Sequence, residues 1–400
     1  KTTVSNMVED VLEHCGYEFI CNRNGSNVDT GVASALIAGS SLFGRPQKPL
    51  AVFEMDERSA NRLMAYVEPD MLLCTNIFRD SYRRNAHTGF IVDILNKYLP
   101  DNMHLVLNAD DLQCAGLKPQ IKDRAYFSVE PMPGEELNPQ NIVQDVRVCP
   151  ECGQELVWDF RRYHHIGRAH CPACGFSSPK ADYRLVSVEG GRMRVEIRGK
   201  EQDFFLPNRN MINIYNSLSA IALLSEFGLS AEKIAGAMES LSVSKSRYQE
   251  EKVGECRVIL HLAKGQNPIA CSRAFQAAKE HPGKKAVLLF LEDLIEAQHT
   301  VENIAWLYDV DFEFLRDSSI TQVITAGARH WDVYLRLLMA GADPDRLIHL
   351  PDTDQAAGAL DCRDLDAVFI LYDLHSVELA GRVRAQVEDI LKKEGARDEI

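Results

Sequence analysis

The sequence contains no run of the 18 or more apolar residues that a membrane span needs, and no signal-like leader. It also lacks a basic excess. Lys and Arg number 44 against 58 Asp and Glu, a formal charge of -14 with a pI near 5.4. That balance excludes a general nucleic-acid coat protein. Eleven cysteines, an odd number in a chain without secretory features, argue against a disulfide framework. No internal repeat or low-complexity stretch is visible, and no nucleophile-elbow Cys with a matching His that would make a glutaminase. The initiator Met is absent too: the chain opens Lys1-Thr2-Thr3. What is present is globular. Hydrophobic residues at 46% and charged ones at 26% over 400 residues predict a cytoplasmic protein of two domains.

Val4, Met7, Val8, Val11 and Leu12 fall at helical spacing, with Gly16 placed to stop the helix. A Lys-Thr pair opening a helix is how a phosphate-binding loop ends, although ordinary exposed helices start the same way. Short apolar runs then alternate with helical patterns. Strands are expected at 50–54, 71–75 and 104–108, with helices at 57–66 and 87–98, the pattern of a parallel sheet wound with crossovers. Polar residues cluster after each strand: Glu54-Met55-Asp56-Glu57, Thr75-Asn76 and Asn108-Ala109-Asp110-Asp111. Open α/β sheets bind ligands at such ends; a helix N-cap is the competing use of one acidic residue there.

From Ser128 to Asn208 the rhythm breaks, with Pro131, Pro133 and Pro139, then four organised cysteines and polar strands around 183–199, so this stretch is expected to be an insertion. Cys149-Pro-Glu-Cys152-Gly and Cys171-Pro-Ala-Cys174-Gly each form a knuckle that aims two sulfurs at one point. The pair predicts a closed, structural Zn²⁺ site with four thiolate ligands at ~2.3 Å, stabilising an insertion too small for its own core. His164, His165 and His170 are left as surface residues, since four sulfurs complete the tetrahedron. The other seven cysteines are expected to be small buried hydrophobes. A helix at 213–227 restores the pattern, a polar hinge lies near 242–247, and a second α/β set follows.

In that order these residues resemble the Mur ligase superfamily, and within it the MurT subunits of lipid II isoglutaminyl synthases. The resemblance rests on Lys1-Thr2-Thr3-Val4-Ser5-Asn6-Met7, Phe53 to Glu57, Thr75-Asn76-Ile77-Phe78-Arg79-Asp80, Asn108 to Asp111, Asn213-Ile214-Tyr215-Asn216 and Trp306 to Glu313, together with the cysteine ribbon. It departs at Ser81 to His87, in the loop Lys264-Gly265-Gln266-Asn267-Pro268, and at 294–304, where a usual A-D-G element is missing. The fold implied is a Mur-type parallel-sheet ATP-binding domain over 1–245, cut at its phosphate loop and carrying the ribbon at about 147–180. A second, Rossmann-like α/β domain follows over 246–400.

The activity implied is ATP-dependent amidation of the D-glutamyl residue of lipid II, through an acyl phosphate, at the inner face of the membrane. A GatD-like glutamine amidotransferase would supply ammonia. By the same resemblance Lys1, Thr2 and Thr3 contact phosphate, Thr2 and Glu54 hold Mg²⁺, and Asn216 and Arg247 contact the nucleotide. Asp309 or Asp311, with Asp309 favoured, would complete the partner's Cys-His pair. Two alternatives are a non-catalytic nucleotide- or partner-binding scaffold and an amino-acid-adding, folylpolyglutamate-synthase-like ligase.

Overall fold

In the computed structural model the stripe Val4, Met7, Val8, Val11 and Leu12 is buried along one face of the helix Thr2–His14, as its spacing requires. The structure describes residues 1–79, 87–139, 141–207, 209–241, 248–291, 294–295, 298–299 and 304–398. They divide into two compact units. The first takes Lys1–Phe78 and most of the chain from 87 to 241; the second takes the chain from 248 onward, joined by Arg79 and Asn141–Val143.

The first unit is built on a six-stranded sheet. Met71–Cys74, His104–Asn108, Arg124–Val129 and Tyr183–Glu189 run parallel in that order, and Arg192–Ile197 and Lys200–Phe205 extend the sheet antiparallel. The polar strands around 183–199 therefore belong to the main sheet rather than to the insertion. Their inward positions Tyr183, Leu185, Met193, Val195 and Phe204 are buried, while charged residues such as Arg184, Arg192, Arg194, Glu196 and Glu201 take many of the outward ones. Half-polar alternation of this kind suits an antiparallel edge with one wet face. The helix Met211–Glu226 lies in the same core, capped by the Asn210 side chain on the Asn213 N–H at 2.8 Å and followed by Gly228 at φ +105°.

Two elements differ from expectation at the start of the chain. The helix foreseen at 57–66 is a 3-10 turn, Glu57–Ser59, followed by a single helical turn, Ala60–Leu63. Only Ala60 and Leu63 of that stretch are buried hydrophobics, too short a stripe to hold a longer helix. The strand expected at 50–54 forms over Leu50–Val52, but its parallel partner Phe19–Cys21 and the helix Asp29–Ala38 had no counterpart in the sequence reading.

The second unit is a six-stranded sheet in the order Tyr248–Val253, Cys256–Leu262, Ala367–Tyr372, Lys285–Phe290, Ile320–Ala326, Leu347–Leu350, parallel except for its first strand. Lys285–Phe290 and Ala367–Tyr372 are buried at every position, because helices cover both faces. Pro268–Glu280 and His330–Met339 pack on one side, and Val377–Asp398 on the other. Among the described residues no helix is long and apolar enough to cross a membrane.

Candidate functional site

At the start of the chain the structure joins Thr2 to Glu54. The Thr2 hydroxyl donates to Glu54 Oε1 at 3.0 Å, and Asn27 Nδ2 donates to the same oxygen at 2.9 Å. Asn22 grips the Glu54 backbone in both directions, accepting its N–H and donating to its carbonyl, each at 2.9 Å. Helix capping at this strand end falls to Asp56, whose carboxylate accepts the Arg58 N–H at 3.1 Å, so Glu54 is not the cap. Lys1 Nζ lies 2.9 Å from Glu57 and 3.9 Å from Asp56. Burial pulls its pKa down, but Glu57, Asp56 and Glu54 outweigh burial and hold the ammonium above its ordinary value. Neighbouring oxygens in an octahedral Mg²⁺ shell with Mg–O distances of ~2.1 Å stand about 3 Å apart, so a hydroxyl and a carboxylate at 3.0 Å suit a hard cation. Thr3 is exposed on the same first turn.

The other two strand ends are tied to each other. Asp111 accepts the Ile77 N–H at 2.7 Å and caps the short helix Leu112–Ala115, and Asn108 Nδ2 donates to the Thr75 carbonyl at 2.9 Å. Asp110 is buried, accepting from the Val129 N–H at 2.8 Å and the Tyr215 hydroxyl at 2.7 Å. Burial pushes its carboxyl up to about 6 despite those donors and Arg162. Tyr215 precedes the half-buried Asn216, the residue matched to adenine contact.

The ribbon reaches this same corner. Its two strands, Val157–Tyr163 and Ile166–His170, form a hairpin between the knuckles. Arg162 donates to the Tyr215 hydroxyl at 2.7 Å, to the carbonyls of Val129 and Glu130, and to the Glu135 carboxylate. At the hairpin tip His164 and His165 are buried, against the surface placement expected of them; His170, with its side chain 45% exposed, is the one that stays near the surface. His165 packs on Phe78 with ring centroids 4.5 Å apart and sits 3.5 Å from Asp111. The Gly167 N–H bonds the Asp110 carbonyl, which seats the tip on the sheet. The turn between the two strands thus buries two rings that a completed sulfur tetrahedron assigned to the surface.

Cys149, Cys152, Cys171 and Cys174 converge, their sulfurs all within 4.8 Å of one another. Cys149 and Cys174 are 3.6 Å apart and Cys152 and Cys171 3.5 Å. A tetrahedron with Zn–S bonds of ~2.3 Å has edges of about 3.8 Å, so the four thiols fit zinc. Gly153 and Gly175 take φ +77° and +79°, the left-handed turn each knuckle requires. The Cys174 backbone N–H lowers the Cys171 thiol to about 7, while at Cys174 the Phe176 N–H is outweighed by desolvation and the neighbouring sulfurs, which push that thiol up to about 12. Of the remaining cysteines, Cys114, Cys256, Cys271 and Cys362 are buried, and Cys15, Cys21 and Cys74 are partly so.

Asp309 ends the 3-10 turn Ala305–Asp309, and Asp311 immediately precedes a second one, Phe312–Arg316. Asp311 is fully buried: Oδ1 accepts the Ile142 N–H at 2.6 Å and Oδ2 the Asn141 amide at 2.9 Å, while its own N–H donates to Ser272 Oγ at 2.9 Å. Asp309 has a side chain 20% exposed and pairs with Arg79 at 2.9 Å. Arg247 and the hinge at 242–247 fall outside the described residues, as do 80–86 and much of 294–304. Sequence reasoning missed Asn22 and Asn27, whose only signal was the polar run Asn22-Arg23-Asn24-Gly25-Ser26-Asn27, and also Arg162 and Arg336, which had none.

Residues 264–374 match the family model described as "MurT ligase C-terminal". A subunit MurT of a lipid II isoglutaminyl synthase (glutamine-hydrolyzing) from Staphylococcus aureus is 30% identical over 343 residues, covering 85% of this chain and 75% of that protein. The subunit of the same name from Streptococcus pneumoniae is 26% identical over 382 residues, covering 93% and 82%. Among solved structures, a pseudomurein peptide ligase type C from Methanothermus fervidus superposes with a TM-score of 0.70 at 18% identity, covering 98% of this chain and 76% of that one. That last likeness is one of fold.

Proposed function

Because this chain belongs to the MurT family of the Mur ligase superfamily, we propose that it is the ATP-using subunit of a lipid II isoglutaminyl synthase. The D-glutamyl carboxylate of the stem peptide attacks the γ-phosphorus of ATP, the bond to ADP breaks, and an acyl phosphate forms. Ammonia then attacks the acyl carbon and expels phosphate, leaving D-isoglutamine. The observation that carries this reading is the meeting of Thr2 and Glu54 beside Lys1 at a strand end.

Each residue has a role set by its chemistry. Lys1 is a point cation for the β- and γ-phosphates, and on binding them it would exchange its Glu57 and Asp56 contacts for phosphate oxygens. Thr2 and Glu54 would hold Mg²⁺, which when bound neutralises phosphate charge. Asn27 and Asn22 keep the Glu54 carboxylate and backbone in place for that task. Thr3 stands on the same turn, and Asn216 and Arg247 are assigned to the nucleotide. The four cysteines would hold a structural zinc.

Ammonia is mostly ammonium at neutral pH, so the reaction gains from a dedicated source, a GatD-like glutamine amidotransferase. There a cysteine thiol passes its proton to a histidine and attacks the glutamine amide; the imidazolium returns the proton to the departing ammonia, and water cleaves the thioester to glutamate. Asp309 would orient that histidine and stabilise the imidazolium. Partial exposure suits Asp309 to reach a partner, whereas Asp311 is enclosed and spent on Asn141 and Ile142. The complex would work on its lipid-linked substrate at the cytoplasmic face of the membrane.

The test uses ammonium salt as nitrogen source, which bypasses the partner. Glu54→Gln keeps shape and loses the charge, so ATP-dependent amidation should fall by about two orders of magnitude or more. Undiminished turnover at limiting Mg²⁺ would remove Glu54 from the site.

A further inference from the structure

The turn Ala305–Asp309 has no side-chain cap of its own, and the Val310 N–H closes it on the Leu307 carbonyl at a long 3.4 Å. Its precision must come from elsewhere. Arg336, on the helix His330–Met339 and only 4% exposed, reaches back to it with a forked set of donors. Nε donates to the Leu307 carbonyl at 3.2 Å and Nη2 to the Val310 carbonyl at 2.9 Å, so the two carbonyls that bracket Asp309 end on one guanidinium. Nη2 also meets both Glu313 oxygens at 3.0 Å, and the guanidinium lies 5.1 Å from the Phe312 ring centroid. Val333 and Leu337 bury the same helix face in the core, which fixes where the fork points.

We propose that Arg336 is a positioning residue for the glutamine-dependent half of the reaction: with Glu313 as counter-ion, it holds the backbone that presents Asp309 to the partner's histidine. The inference rests on the reading of Asp309 given above. A carboxylate that must orient an imidazole works only within a narrow range of distance and angle, and small displacements of such groups are costly in rate. Arg336 secures the backbone on both sides of Asp309, while Arg79, 2.9 Å from Oδ2, restrains the side chain. Lysine cannot substitute, because one ammonium on a single stem does not span two carbonyls and a carboxylate in that geometry. Glu313 balances a charge that is otherwise buried, and without it the guanidinium loses its strongest acceptor.

The experiment compares the reconstituted complex carrying Arg336→Lys, Glu313→Gln or Asp309→Asn with the unsubstituted one. Assembly, glutamate release from glutamine and amidation of lipid II from ammonium chloride are each measured. Arg336→Lys should lower kcat for glutamine about tenfold or more with KM for glutamine unchanged, leaving ammonium-driven amidation within about twofold. The acidic limb of the glutamine profile should move to lower pH, because a carboxylate that drifts from the imidazole no longer raises its pKa. Glu313→Gln, which keeps the bonds to both carbonyls, should show a smaller loss of the same kind. Two results overturn the proposal: both variants hydrolysing glutamine normally while Asp309→Asn does not, or Arg336→Lys losing assembly and ammonium-driven amidation in step with glutamine use. Full glutamine hydrolysis by Asp309→Asn instead overturns the underlying assignment of Asp309.

Discussion

Replacing Asp311 with Ala strips the acceptor from the Ile142 N–H and the Asn141 amide. We expect a loss of about 1–3 kcal/mol in urea unfolding, with activity falling only as far as folding does. Asp309→Asn touches a partly exposed pair worth at most about 1 kcal/mol, so its unfolding midpoint should hardly move. The two aspartates, two positions apart, should thus separate stability from glutamine chemistry. A third carboxylate sets a pH dependence. Burial raises Asp110 to about 6 when folded, above its unfolded value, so between about pH 4 and 6 the folded chain binds the extra proton. Stability then falls as pH rises through that window, by an amount on the order of 2–3 kcal/mol from this residue. Relative to Asp110→Asn, the unsubstituted protein should lose stability from pH 4 to 6; parallel curves would show that Asp110 does not titrate there.

At the level of elements, the ribbon is more than an appendage. Its hairpin delivers Arg162 to Tyr215, Glu135 and the Val129 carbonyl, and seats its tip on Asp110. Arg162→Met would leave Glu135 and Asp110 uncompensated in a buried setting, and should cost about 3–5 kcal/mol. Metal analysis should find one zinc per chain. Cys152→Ser or chelation should speed amide exchange across 157–170 before the rest of the first unit; no zinc, or no change in exchange, would contradict a metal-held hairpin. The knuckles themselves were legible, since C-P-x-C-G states its geometry within five residues. So were the first helix and the strands at 71–74 and 104–108, whose signals are local periodicities. The strand Lys200–Phe205, and the membership of the strands around 183–199 in the main sheet, were hidden because their outward faces carry charge, and the burial of His164 and His165 because it depends on what the hairpin tip meets. Arg79 with Asp309, and Arg336 with the Leu307 and Val310 carbonyls, join residues 230, 29 and 26 positions apart, separations at which no spacing rule operates.

Across the whole molecule the account assigns ATP chemistry to the first unit and partner activation to the second. Lys1, Thr2 and Glu54 gather in the first, and Asp309 is held in the second. The two activities should therefore fail independently. Glu54→Gln should abolish amidation from either nitrogen source, whereas Asp309→Asn should abolish only the route from glutamine. The central claim is met most directly by incubating lipid II and ATP with the protein and a GatD-like amidotransferase, and following the stem peptide by mass with glutamine or ammonium chloride as nitrogen donor. The account predicts carboxyl-to-amide conversion at the D-glutamyl residue with either donor, dependent on ATP, and with glutamine lost selectively in Asp309→Asn. Amidation that proceeds without ATP, or a stem peptide whose mass never changes with either donor, would contradict it.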